Sequence, residues 1–227
     1  MLKENPDEFW VRYLVGQFCV MRSVRPWEKL VNGSNWEAFC KKMCLSELVG
    51  QHELFEYLTN VFEEFKPTIY WKKAADRIAR FVKNTDVVTN GKLILFDGLE
   101  GLDEDDRRSK LLERTRHFFK TKSISDLMIE IGMARDFIAF DTRIVGFLID
   151  YLKLRLEPDV LGATEEEKRA KLIAKIQSDE VLYKKMEREL LEICNDIGIP
   201  LGLLDRILFN SIKMSALQYV FKRNGYF

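Results

Sequence analysis

The sequence lacks any long hydrophobic run. Its longest apolar stretches, Phe137 to Phe140 and Ile144 to Ile149, fall well short of the ~20 residues a membrane span needs. No transmembrane helix is expected. Histidine is scarce: His52 and His117 are the only two, and neither has Cys, His or carboxylate neighbours at the spacing of a metal set or a nucleophilic triad. Cysteine is limited to Cys19, Cys40, Cys44 and Cys194. Cys40 and Cys44 lie one helical turn apart with nothing nearby to complete a tetrahedral set, so all four are expected to be reduced, packed thiols. Neither a metal nor a cofactor is expected. The opening residues MLKENPDEFW contain no apolar segment of secretory type, and the expected location is the cytoplasm.

Net charge is also absent, 36 basic side chains balancing 36 acidic ones. That argues against non-specific coating of nucleic acid and leaves local patches as the place to look. What the chain does contain is core-forming material, 47% hydrophobic residues among 227, enough for one large domain or two small ones.

Only five prolines and twelve glycines interrupt the pattern, and apolar residues between them recur at the helical period. The spacing predicts an all-α protein. Helices are expected at Asp7 to Ser23 (with Phe9, Tyr13, Leu14, Phe18 and Met21 as its apolar stripe), Asn35 to Cys44, Gln51 to Phe65 and Tyr70 to Lys83. Asn84 to Gly101 reads as a loop with one brief strand near Leu93 to Phe96. Further helices are expected at Asp103 to Phe119, Ser123 to Ile131 with Gly132 as a left-handed cap, and Ile138 to Leu156. Thr164 to Gln177, Asp179 to Asp196 and Leu201 to about Asn210 complete the set. Thr164 is an expected N-cap, and Glu165 to Arg169 and Glu167 to Lys171 are i,i+4 pairs on a solvated face.

Charge is unevenly placed. From Asp97 to Asp106 there are six acids and no base, and from Arg107 to Lys122 seven bases and one acid. Such a switch complements a helix dipole. It also puts Arg107, Lys110 and Arg114 on one stripe, continued by Arg116, Lys120 and Lys122, where a phosphate backbone would be held.

Residues Lys120 to Leu148, KTKSISDLMIEIGMARDFIAFDTRIVGFL, read as a tight turn, a short helix, a glycine stop and a long helix entered through Asp141. This segment resembles the helix-hairpin-helix superfamily of DNA glycosylases, particularly archaeal and bacterial 8-oxoguanine DNA glycosylase/AP lyases. In that family a lysine opens the second hairpin helix and an aspartate lies some eighteen residues on; Lys122 and Asp141 match. Gln17-Phe18 followed by Trp27-Glu28, and the stretch Tyr70 to Ile78, are similar to the family's earlier motifs, so the likeness spans about Glu8 to Tyr151. The family's Gly-hydrophobic-Gly turn is replaced by Phe118-Phe119-Lys120-Thr121, and no cysteine run for an iron-sulfur cluster follows.

The resemblance implies a single two-lobed helical domain over 1–227, with lobes of roughly 24–120 and of 1–23 plus 121–227 about a central cleft. It also implies a monomer acting on double-stranded DNA that carries a damaged base, with no membrane partner. Lys122 would attack the sugar C1′ as a neutral amine, its ammonium disfavoured by the helix start and by Arg116 and Lys120 nearby. Asp141 would orient that amine and stabilise charge developing on the sugar. Gln17 would fill the gap left by the flipped base, and Arg116, Lys120 and Thr121 would hold phosphate. Phe18, Trp27 or Phe140 would wall a base pocket or belong to the core, and Asp205-Arg206 reads as a structural ion pair. Two alternatives stay open: a glycosylase for another lesion, and a non-catalytic DNA-binding or protein-interaction module on the same scaffold.

Overall fold

The structure is a computed structural model describing residues 6–20, 24–141, 144–146, 148 and 164–210. It is mostly helical, with one two-stranded sheet among the described residues. The chain divides into two compact units between Lys120 and Thr121.

In the first unit, α1 runs from Pro6–Phe9 through a π-helical stretch, Trp10–Val15, into Gly16–Cys19. The wider turn carries an extra residue, and Trp10, Val11, Leu14, Val15 and Phe18 are all fully buried. Helices α2 (Arg25–Val31), α3 (Trp36–Met43), α4 (Leu45–Val49), α5 (Leu54–Phe65) and α6 (Trp71–Val82) follow. The expected helix at Asp7 to Ser23 is thus present to Cys19, and residues 21–23 lie outside the described ones. Sequence periodicity missed α2, a short helix with Pro26 in its first turn, and α4.

Aromatic packing joins these helices. Trp10 stacks on Phe81 of α6 and donates its indole N–H to the Met43 carbonyl at 2.9 Å. Phe18 stacks on Phe119, and both meet Phe81. Gly16 passes against Trp27, where a Cβ would lie 3.0 Å from the indole, so only glycine lets α1 approach that ring without displacing it.

The irregular segment expected at Asn84 to Gly101 contains a hairpin, not a lone strand. β1 (Val88–Thr89) pairs antiparallel with β2 (Lys92–Leu93) around Asn90-Gly91, both at positive φ (51° and 72°), as a type I′ turn requires. Helix α7 (Glu104–Thr115) is capped by Asp103, whose carboxylate accepts from the Asp106 amide at 2.8 Å. It stops four residues before the expected Phe119.

The second unit contains α8 (Thr121–Glu130), α9 (Glu165–Ser178), α10 (Glu180–Asp196) and α11 (Leu201–Asn210). Gly132, at φ 70°, ends α8 in a Schellman-type cap, the Met133 amide donating back to the Met128 carbonyl at 2.7 Å. Thr164 caps α9 through the Glu167 amide; the side chains of Glu165 and Arg169 lie outside the described ones. Helices α9, α10 and α11 pack in sequence around Ile176, Tyr183, Met186, Leu190 and Leu204. Ile138 to Phe140, expected at the start of a helix, are non-helical. Residues 149–163 lie outside the described ones, so the end of that helix is not assigned.

Candidate active site

Lys122 is the second residue of α8. Its ammonium lies 3.6 Å from the Asp126 carboxylate, one turn along the same helix. Arg206 of α11 grips Asp126 as well, donating to its backbone carbonyl and to Oδ1, each at 3.0 Å. The Arg206 Nε also lies 3.8 Å from Oδ2 of Asp205, so the expected Asp205-Arg206 pair is one link of a longer chain.

Asp205 is 1% exposed, and its Oδ1 accepts the Ala139 amide at 2.7 Å. Burial pushes its carboxyl up to about 6. The Ala139 amide and Arg206 oppose that shift, and the negative charges of Asp126 and Asp141 add to it. Asp205 thus senses both the carboxylate paired with Lys122 and the carboxylate of Asp141.

Asp141 caps the helical turn at 144–146. Its Oδ1 accepts the Ile144 amide at 2.8 Å, and its carbonyl accepts the Val145 amide at 3.0 Å. This is N-cap geometry, and it fixes where the half-buried carboxylate sits.

The residues leading to Asp141 are held by side chains from distant helices. The Tyr183 hydroxyl donates to the Ile138 carbonyl at 2.5 Å, the Glu187 carboxylate accepts the Ile138 amide at 3.2 Å, and Gln177 donates to the Phe140 carbonyl at 2.8 Å. With Asp205 on Ala139, four side chains replace the hydrogen bonds a helix or sheet would give. Arg135, just upstream, accepts the Gly202 amide at 2.8 Å through its carbonyl. A Cβ on Gly202 would lie 3.0 Å from that carbonyl oxygen. Residues 135–141 therefore form a strap that positions Asp141.

No family model, curated protein or solved structure matches this chain.

Gln17, Arg116 and Lys120 belong to the first unit; Thr121, Lys122 and Asp141 belong to the second. Gln17 is half-buried on α1, Arg116 and Lys120 are exposed, and Thr121 is half-buried at the first position of α8. Phe18, Trp27 and Phe140 are buried core residues; Phe140 packs edge-on against Tyr183.

Two features of the expected phosphate surface are different in the structure. The basic stripe on α7 is broken, because Arg107 donates to the Leu99 carbonyl at 3.3 Å and Arg114 to the Leu95 carbonyl at 2.6 Å. Two of its three cations secure the loop beneath them, while Lys110 stays exposed. In the turn that replaces the glycine hairpin, the Phe118 and Phe119 amides both donate to the Thr115 carbonyl, and the Phe118 carbonyl accepts from Arg77. That backbone is committed to ending α7.

Sequence reasoning missed Asp126, Tyr183, Glu187 and Gln177. The i,i+4 spacing of Lys122 and Asp126 was available as a signal. The other three act through backbone groups more than thirty residues away, for which no local pattern exists. Among the described residues, no group of three His, Cys, Asp or Glu side chains is arranged to hold a metal, and no helix is long and apolar enough to cross a membrane.

Proposed function

We propose that the protein is a DNA base-excision glycosylase with AP-lyase activity, acting as a monomer in the cytoplasm on an oxidised purine, 8-oxoguanine first among them. One observation carries this reading. Lys122, one of the two residues matched to the glycosylase pattern, is linked through Asp126 and Arg206 to the buried Asp205, and Asp141, the other, adds its charge to the field at Asp205.

On this reading Lys122 is the nucleophile and Asp141 the stabilising carboxylate. Lys122 gives up its proton to solvent, and the freed amine attacks C1′ of the nucleotide. The glycosidic electron pair leaves with the base, which takes up a proton. Asp141, fixed by its cap, faces positive charge developing on the sugar. Opening of the ring protonates O4′ and leaves an imine between Lys122 and C1′. Loss of a C2′ proton then expels the 3′ phosphate by β-elimination, and water hydrolyses the imine to return Lys122.

A second reading, a non-catalytic helical module, draws on the committed turn at Phe118-Phe119 and on the two stripe arginines bound to carbonyls. Borohydride trapping separates the two, using labelled duplexes with 8-oxoguanine, uracil, an abasic site or no lesion. The enzyme reading expects a covalent adduct on the 8-oxoguanine duplex that disappears in Lys122→Gln. Trapping on the abasic duplex alone would keep the lyase and discard the base assignment. With no adduct and no cleavage on any duplex, the module reading replaces it.

A further inference from the structure

A second feature lies wholly within the first unit and does not rest on the Lys122 chemistry. An open groove of about 960 Å³ runs between the start of α2, the loop before α3, and the connection from α5 to α6. Its volume is at the upper end of the range for small-ligand sites.

The groove combines three free cations with aromatic and apolar walls. Arg25, Lys29 and Lys66 line it and are exposed, and none of them has an ion-pair partner among the described residues. This contrasts with Lys41 and Lys42 on the neighbouring α3, which pair with Glu37 and Glu64. Glu63 is the one acid in the lining. The rings of Trp71 and Phe65 are half-buried, Lys72 lying 4.9 Å from the centroid of the first and Lys42 5.7 Å from that of the second, and Ile69 is 62% exposed.

Lys66 is placed unusually. It ends α5 in the left-handed region at φ 50°, a position that favours Gly or Asn and costs other residues about 1 kcal/mol or more. A dipole contact would place a lysine anywhere in the last turn; it does not call for one at this φ. Arg25 and Lys29 are i,i+4 on α2, so their stems rise about 6 Å apart, close to the step between successive phosphates of an extended strand.

We infer that this groove binds a short single strand of nucleic acid, with phosphates on Arg25, Lys29 and Lys66 and bases stacked against Trp71 and Phe65. Cations beside half-buried rings suit a strand whose bases are unpaired, because every base offers a face to stack. The groove is open, and the one buried polar side chain in its lining, Thr68, is occupied locally, its Oγ1 accepting the Tyr70 amide. Binding is therefore tolerant of sequence. An acidic peptide would satisfy the cations but make little use of the rings.

The test is fluorescence anisotropy with a labelled hexathymidylate. It compares wild type, Lys29→Gln/Lys66→Gln, Trp71→Leu and Lys122→Gln, each checked for fold by circular dichroism. The charge variant should weaken binding and flatten its dependence on log salt by about 1.4, two contacts at the single-strand slope. Trp71→Leu should weaken it about ten-fold, and Lys122→Gln should leave it unchanged. Should Trp71→Leu fail to fold, Arg25→Gln serves in its place with an expected slope change of about 0.7. Unaltered binding in the folded groove variants overturns the inference, as does displacement of the strand by an equally charged glutamate peptide at the same concentration. Loss of binding in Lys122→Gln alone would move the strand to the second unit and equally overturn it, whereas failure of borohydride trapping leaves it intact.

Discussion

The Asp205 carboxylate holds the amide of Ala139 at 2.7 Å across 66 residues of sequence. A buried acid thus does the work that a neighbouring strand would do for an extended segment, and the strap ending at Asp141 depends on it.

That dependence is titratable. Asp205 has its carboxyl raised to about 6 from 3.8, so the folded state favours the protonated acid. The resulting contribution to stability is fully present below pH 4 and is lost as pH rises through 6. At most about 3 kcal/mol is involved. Asp205→Asn keeps an acceptor for Ala139 without the charge, so wild-type stability should fall relative to this variant between pH 4 and 7. Urea unfolding of both proteins across that range measures it, and a constant difference would remove Asp205 as the titrating group.

Tyr183 is 1% exposed and its hydroxyl serves Ile138. Tyr183→Phe leaves that carbonyl buried without its donor and should cost about 1–3 kcal/mol. Denaturant unfolding reads this directly. A loss below about 0.5 kcal/mol would mean another group takes over the carbonyl.

Asp141 has two separable duties. Asp141→Asn preserves a good N-cap residue and should change stability little, while Asp141→Ala should lose about 1 kcal/mol. Under the glycosylase reading both variants lose base release equally, since both lose the carboxylate. A fully active Asp141→Asn would confine the residue to capping.

Gly202 meets the Arg135 carbonyl where a Cβ would stand at 3.0 Å. Gly202→Ala should push α11 off the strap and destabilise by about 1–3 kcal/mol. A wild-type melting temperature would show that the two segments separate without cost.

Most helices were legible because their apolar period is local, and so were the Gly132 cap, the Thr164 cap and the Asn90-Gly91 turn. The strap was not. Phe137 to Phe140 is an apolar run that looks like the start of a helix, and Gln177, Tyr183, Glu187 and Asp205, 37 to 66 residues away in their contacts, hold it out of one. The stripe of Arg107 and Arg114 failed for a similar reason, since charge spacing on a helix does not reveal carbonyls waiting in the loop before it. Of the candidate site, Lys122 and Asp141 were singled out by the family resemblance alone, while the link from Lys122 through Asp126 and Arg206 to Asp205 spans 80 residues of sequence and leaves no local pattern.

The π-helical stretch at Trp10–Val15 takes up one residue more than a regular α-helix would fit into the same rotation. Were the same residues wound as regular α-helix, everything beyond them would turn by about 100°. Phe18 would swing away from Phe81 and Phe119, and Gly16 would no longer face Trp27. The extra residue acts as a phase setting: it lets one helix bring both Trp10 and Phe18 against Phe81, while Trp10 reaches Met43 and Phe18 reaches the Phe119 turn.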